Sequence, residues 1–311
     1  MKSGAAAADG MAMGVCKKTK GALMNKLPVN NQPESWDGVI KPVHGWLNIN
    51  FKEMIQYWDL ILLFVKRDFV IFYKQTILGP LWYIIQPLFN TLVFTVIFGK
   101  VAKIPTDGIP PPIFYLSGTI IWTYFSFCLK QTGTTFVTNA QVFGKVYFPR
   151  VTVPISIAIT AVLQFIIQFI IFLCFFFYYK LSGSTFQPNI YILALPLIVL
   201  HMAVLSVGMG LIISAATAKY RDLTFAMEFF IQLWMYLTPI VYPLSQVPDR
   251  LKIFILINPM TAVVESFRGA FLGASALTPQ GLLLSIMLTI LIFIGGIIIF
   301  SRVEKTFLDT V

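Results

Sequence analysis

The sequence predicts an all-α integral membrane protein, with six transmembrane helices, an amphipathic interfacial helix ahead of the first, and a re-entrant helical segment between spans five and six. Three observations carry that prediction. Of the 311 residues, 57% are hydrophobic and only 12% charged, with a mean hydropathy of +0.80, far more apolar than a water-soluble domain. Six apolar runs, at about 81–99, 112–130, 153–179, 189–216, 223–243 and 281–300, approach or exceed the roughly 20 residues that carry a helix across a bilayer. Six spans with the N-terminus inside place 17 of the 23 Lys and Arg on the cytoplasmic side and 6 outside, so most of the formal charge of +10 is an orientation signal.

Residues 1–50 form a long polar stretch without apolar periodicity and read as a mobile cytoplasmic tail. Its "SGAAAADGMAMGVC" is broken by Asp9, Gly10 and Gly14 and builds no signal-peptide core. From 51 to 77 the pattern becomes amphipathic. Lys52, Gln56, Asp59, Lys66, Arg67 and Lys74 follow helical steps on one face, while Trp58, Ile61, Leu62, Phe64, Phe69 and Phe72 occupy the others. Such a helix anchors in the headgroup layer or presses against a cytoplasmic partner. Gly79-Pro80 then leads into "LWYIIQPLFNTLVFTVIF", the first span of a transmembrane domain covering 78–311.

Between the second and third spans, 139–149 reads as a short helix: Asn139 as its cap, Val142, Phe143 and Val146 as its apolar face, and Pro149 as its stop. It is either a compact loop or a knob rigid enough to take force from a cytoplasmic motor. The apolar segment "IFILINPMTAVVESFRGAFLG" is interrupted by Asn258-Pro259 and carries Glu265 and Arg268, both expensive in lipid. A seventh crossing there would also put Arg302 and Lys305 outside, so about 244–276 is assigned to a re-entrant pair of short helices. Glu265 and Arg268 are three residues apart and can pair on one face, as a gate or as a structural ion pair.

Catalytic constellations are absent from the sequence. His44 and His201 lie far apart, Cys16, Cys128 and Cys174 share no metal or redox spacing, and no G-x-x-x-x-G-K-[ST] loop is present to cradle phosphates. The span interiors are almost free of charge, which disfavours proton or sodium coupling, and Glu228, preceded by Lys219, Arg221 and Asp222, reads as part of an interfacial salt-bridge cluster. Any ATP-driven step must therefore use an ATPase supplied by another chain.

The order and spacing of "YKQTILGPLW", "NAQVFGKVYFPR", "KYRDL", "TPIVYP" and "NPMTAVVESFRGAFLG" against the spans resemble the type-2 ABC exporter permeases that move O-antigen, capsule and teichoic acid polymers, over about residues 51–311. The resemblance implies a homodimer docked to two copies of an ABC ATPase subunit that binds ATP and Mg, in a bacterial inner membrane with both termini cytoplasmic and no cofactor on this chain. It implies ATPase coupling through Asn139, Val142, Phe143, Lys145, Phe148, Pro149 and Arg150, with Lys145, Phe148 and Arg150 as anchors. The cytoplasmic interface would include Lys66, Arg67, Tyr73, Lys74, Tyr220, Arg221 and Asp222. A lipid-linked polysaccharide would pass along spans one and five, where Trp82, Tyr83, Phe89, Trp234, Tyr236 and Tyr242 offer ring faces on which sugars stack and slide, or else form the interfacial aromatic belt. Gln86, Asn90 and Gln232 would face that channel or a partner helix, and Glu265 with Arg268 would gate its outer end. A related permease for drugs or small lipids is the alternative.

Overall fold

The computed structural model describes residues 56–74, 77–146, 148–184 and 186–307; the predicted tail and the first residues of the interfacial helix lie outside the described residues. Helix α1 (Trp58–Lys74) is joined through the 3-10 turn Gly79–Leu81 to α2 (Trp82–Phe94), which a π-helical turn prolongs to Val101. Gly79 has φ +50, a backbone region that side chains with a Cβ rarely adopt, so the glycine lets the chain turn sharply into the first span. There follow α3 (Pro111–Gly133), α4 (Thr135–Phe143), α5 (Thr152–Leu181), α6 (Leu195–Lys219), α7 (Leu223–Leu237), α8 (Asp249–Ile257), α9 (Pro259–Leu272) and α10 (Pro279–Phe307). Prolines open α3, α6, α9 and α10 within their first two positions, where a missing N–H costs no helical bond.

Five of these are long and apolar enough to cross a membrane: α2 with its extension, α3, α5, α6 with the 3-10 turn before it, and α10. The fifth predicted span, 223–243, is corrected. Its helix stops at Leu237, because Pro239 has no N–H and drives Thr238 to extended backbone (φ −99, ψ 139). Fifteen helical residues reach only ~22 Å. Even so, α7 runs antiparallel along α3 from one end to the other. Glu228 pairs with Lys130 at 2.6 Å, Trp234 packs edge-on against Phe125, and the carbonyls of Pro239 and Ile240 meet Arg268 beside Phe114. Residues 238–243 continue from α7 as turns and bends at that end, and the six helices α2, α3, α5, α6, α7 and α10 alternate in direction.

Two ends result. At the knob end, α4 and the turn after it meet α1 and the end of α10, through Phe64 on Phe148 and Phe136 stacked on Phe300 with centroids 4.6 Å apart. At the cap end, α8 and α9 meet at a 99° bend. The break falls at Asn258, whose side chain accepts from the Met260 N–H and caps α9, with Pro259 at the first position. A seam of rings fixes α9 to α5: Phe172 lies 5.1 Å from Phe267 and 5.5 Å from Phe271, and Phe169 lies 5.5 Å from Phe271. The helices α6 and α10 approach most closely. A Cβ on Gly208 would lie 2.8 Å from Phe293 Cα, and one on Gly296 would collide with the Gly208 carbonyl, so both positions require glycine.

Candidate functional site

The knob differs from its sequence reading. A helical stretch begins at Thr135 and breaks at Asn139 (φ −106, ψ 15), so a second helical piece starts after it as the sequence suggests, but the Asn139 side chain donates its amide back to the Thr135 carbonyl. The helix ends at Phe143, so Pro149 does not stop it; Pro149 instead gives its carbonyl to the N–H and hydroxyl of Thr152 as α5 starts. Phe148 and Arg150, expected as docking anchors, are buried within this chain. Phe148 lies between Phe64 and Phe143, each 5.7 Å away. The Arg150 guanidinium lies over the Phe143 ring at 5.4 Å and donates to the Glu304 carbonyl, tying the turn to the end of α10. The exposed crest is Gln141, Gly144, Lys145 and Val146, with Val142 half-buried. Inward rings therefore hold the crest, and the crest is what a partner can touch.

Lys66, Lys74, Arg221 and Asp222 are exposed, and Tyr220 is exposed with Lys219 Nζ 5.3 Å from its ring. Arg67 donates to Asp68 at 2.8 Å and lies over Phe64 at 4.7 Å. The side chain of Tyr73 lies outside the described residues. Glu228 takes its partner from α3, at Lys130, and not from the charges that precede it in sequence.

Along the spans, α2 and α7 both pack on α3 and leave wide outer faces uncovered. The six aromatics expected along the channel divide. Trp82, Phe89 and Tyr236 are exposed on those faces; Tyr83 is buried, Trp234 is half-buried against Phe125, and Tyr242 is half-buried with its hydroxyl donating to the Tyr236 carbonyl at 3.2 Å. The uncovered faces also hold two polar ladders at i, i+4 spacing: Trp82, Gln86 and Asn90 on α2, and Glu228, Gln232 and Tyr236 on α7. Carboxamides in hydrocarbon without partners are costly, so these faces are built to meet something other than lipid chains.

At the cap, Arg268 is almost fully buried and has a larger role than its pairing suggests. It lies 3.7 Å from Glu265, stacks over Phe114 at 3.8 Å, and donates to Ser117 Oγ and to the carbonyls of Pro239 and Ile240. Glu265 in turn accepts from the Ala276 N–H at 3.1 Å. One guanidinium thus joins the start of α3, the end of α7 and α9. Sequence spacing identified the Glu–Arg pair but gave no signal for the carbonyls, which belong to the backbone of distant elements.

The O-antigen export system permease protein RfbA of Klebsiella pneumoniae is 25% identical over 264 residues, which cover 85% of this chain and 99% of that protein. RfbA of Myxococcus xanthus is 25% identical over 225 residues, covering 71% and 83%. The polysialic acid transport protein KpsM of Escherichia coli is 24% identical over 233 residues, covering 75% and 89%. Residues 59–272 match the ABC-2 type transporter family, a stretch running from α1 to the end of α9 that takes in five of the six alternating helices. With the knob, the alternating helices and the bent cap all in that order, this multi-pass membrane protein belongs to the ABC-2 type transporter family.

Proposed function

We propose that this protein is the permease subunit of an ATP-driven exporter that carries a lipid-linked surface polysaccharide, O-antigen or a related polymer, across a bacterial cytoplasmic membrane. The observation that carries the reading is the pair of polar ladders on α2 and α7. Closing two copies of the chain face to face would remove Gln86, Asn90 and Gln232 from lipid and set them, with Trp82, Phe89 and Tyr236, along a shared path. Amides hydrogen-bond hydroxyls and rings offer area without fixed register, which suits a long glycan in motion. The similarity to O-antigen and polysialic acid export proteins over most of the chain supports the same substrate class.

In this reading the knob end is cytoplasmic, in keeping with Lys66, Arg67, Lys74, Lys130, Lys145, Arg150, Lys219, Arg221 and Arg302 at that end. A separately encoded ATPase subunit, binding ATP and Mg, grips the crest around Lys145 in each copy. Glu265 and Arg268 close the outer end.

Deletion of the gene is the test. Full-length lipid-linked polymer should accumulate on the cytoplasmic side while surface glycan disappears; unchanged surface glycan removes the polymer and leaves a drug or small-lipid permease. Trp82→Ala combined with Tyr236→Ala should slow export several-fold with the assembled complex intact, since both side chains are exposed and neither supports the core. Export at the parental rate, measured as surface glycan after a pulse of labelled sugar, would remove them from the path.

A further inference from the structure

The inner side of α5 carries a third ladder, and this one is buried. Thr152, Ser156, Thr160, Gln164 and Gln168 follow one another at i, i+4 and are all covered. They climb ~24 Å, most of a bilayer's hydrocarbon thickness. The first three hydroxyls are satisfied by carbonyls of the preceding turn. The two glutamines are not. Among the described residues, Gln164 Oε1 and both amide atoms of Gln168 are buried without a hydrogen-bond partner, although Gln168 is fully covered and Gln164 is 6% exposed. Buried carboxamides are normally satisfied, by protein or by ordered water.

Directly below them is a cavity of about 190 Å³ between α1, α3, α4 and α5. Its wall includes Arg67, Asp68, Gln131, Asn139, Ile157 and Thr160. Arg67, Asp68, Gln131 and Asn139 give the cavity polar groups, Phe127, Val153 and Ile157 give it apolar wall, and it meets the α5 ladder at Thr160, one turn short of Gln164. Side chains on a helix lean toward its N-terminus, so Gln164 leans back over the turn of Thr160 and Gln168 over that of Gln164. That volume is well above the roughly 10–15 Å³ that a single water needs, so the cavity has room for several.

We infer that each protomer contains a water-filled crevice of its own, entered beneath α1 at the knob end and running up α5 to Gln168, separate from the α2–α7 face. Its ligand is water: the cavity supplies the reservoir, and the ladder supplies donors and acceptors that carry hydrogen bonds to midmembrane depth. The crevice also separates the seam of α1 and α5 above the ring contacts of Phe64, leaving that seam joined by water where dry apolar packing would otherwise lock it. The side on which the crevice opens rests on the cytoplasmic assignment above; its existence does not depend on the nature of the cargo.

Cysteine accessibility tests it. In a full-length chain with Cys16, Cys128 and Cys174 replaced, single cysteines are introduced as Thr160→Cys, Gln164→Cys and Phe172→Cys, and membrane vesicles of either orientation are treated with a charged methanethiosulfonate. Charged reagent reaches only thiols in contact with water. Modification at 160 and 164 at least tenfold faster than at 172, from the knob side, is expected. Rates at 160 and 164 as slow as at 172 would overturn the crevice. Fast modification from the opposite side would keep the crevice and overturn the orientation. Gln164→Leu with Gln168→Leu gives a second reading in the otherwise native chain. A dry site would relieve orphaned amides and raise the thermal midpoint, which contradicts the inference; a wet site loses its bound water and the midpoint stays level or falls, as expected here.

Discussion

Arg268→Ala is expected to cause the largest loss of stability of any single substitution at the cap. The guanidinium is 1% exposed and its donors are spread over Ser117, Pro239 and Ile240 as well as Glu265. Removing it leaves a buried carboxylate without its counter-ion and leaves the end of α7 without its fastening to α3. Breaking a buried pair from one side costs ~3–5 kcal/mol, a large fraction of the stability of most domains. The thermal midpoint of the detergent-purified protein should therefore fall steeply, and the amount recovered from membranes should fall with it. Arg268→Lys should be intermediate, since an ammonium keeps the charge but cannot reproduce a planar fork that reaches several carbonyls at once. Glu265→Gln should cost less than either, because a neutral amide can still accept from Ala276. A midpoint for Arg268→Ala equal to that of the parent would show that α7 is held at that end by something else.

The second large effect separates the inner from the outer half of the knob. Phe148→Asp places a carboxylate between Phe64 and Phe143 at a position 5% exposed, where the guanidiniums over those two rings, Arg67 and Arg150, are already engaged with Asp68 and Glu304. Burial of an unpaired charge is among the short list of severely destabilising changes, so this variant should lose folded protein outright rather than uncouple cleanly. Lys145→Glu lies on the exposed crest and should leave the thermal midpoint unchanged while reducing export and ATPase co-purification by about tenfold, the factor that ~1.4 kcal/mol of lost binding produces. Measuring both properties for both variants distinguishes scaffold from contact. A stable Phe148→Asp protein, or a Lys145→Glu protein with parental export and co-purification, would reverse the assignment of inner and outer residues.

Much of the architecture was legible in the sequence because the bilayer imposes a strong length rule. Five of the six apolar runs match helices long enough to cross, and the broken segment at Asn258-Pro259 is a sharp bend between two short helices. The sixth run, 223–243, read as a full span because hydropathy does not register Pro239, whose missing N–H ends the helix at Leu237. The knob was legible in part. The chain does break at Asn139, but the helical turn that precedes it from Thr135 takes the Asn139 amide for its own carbonyl, a partner that sequence does not reveal.

What the sequence by itself determined is the class of solvent and the places where the chain can turn: composition sets burial in lipid, and proline, glycine and asparagine set the ends. Only the tertiary structure decided which side of each helix is covered. That choice turned Phe148 and Arg150 inward, left Gln86, Asn90 and Gln232 outward, and buried Gln164 and Gln168. The physical reason is that in an apolar medium nearly every face of a spanning helix is hydrophobic, so amphipathic periodicity, which in water marks the core, carries little information until neighbouring helices have packed.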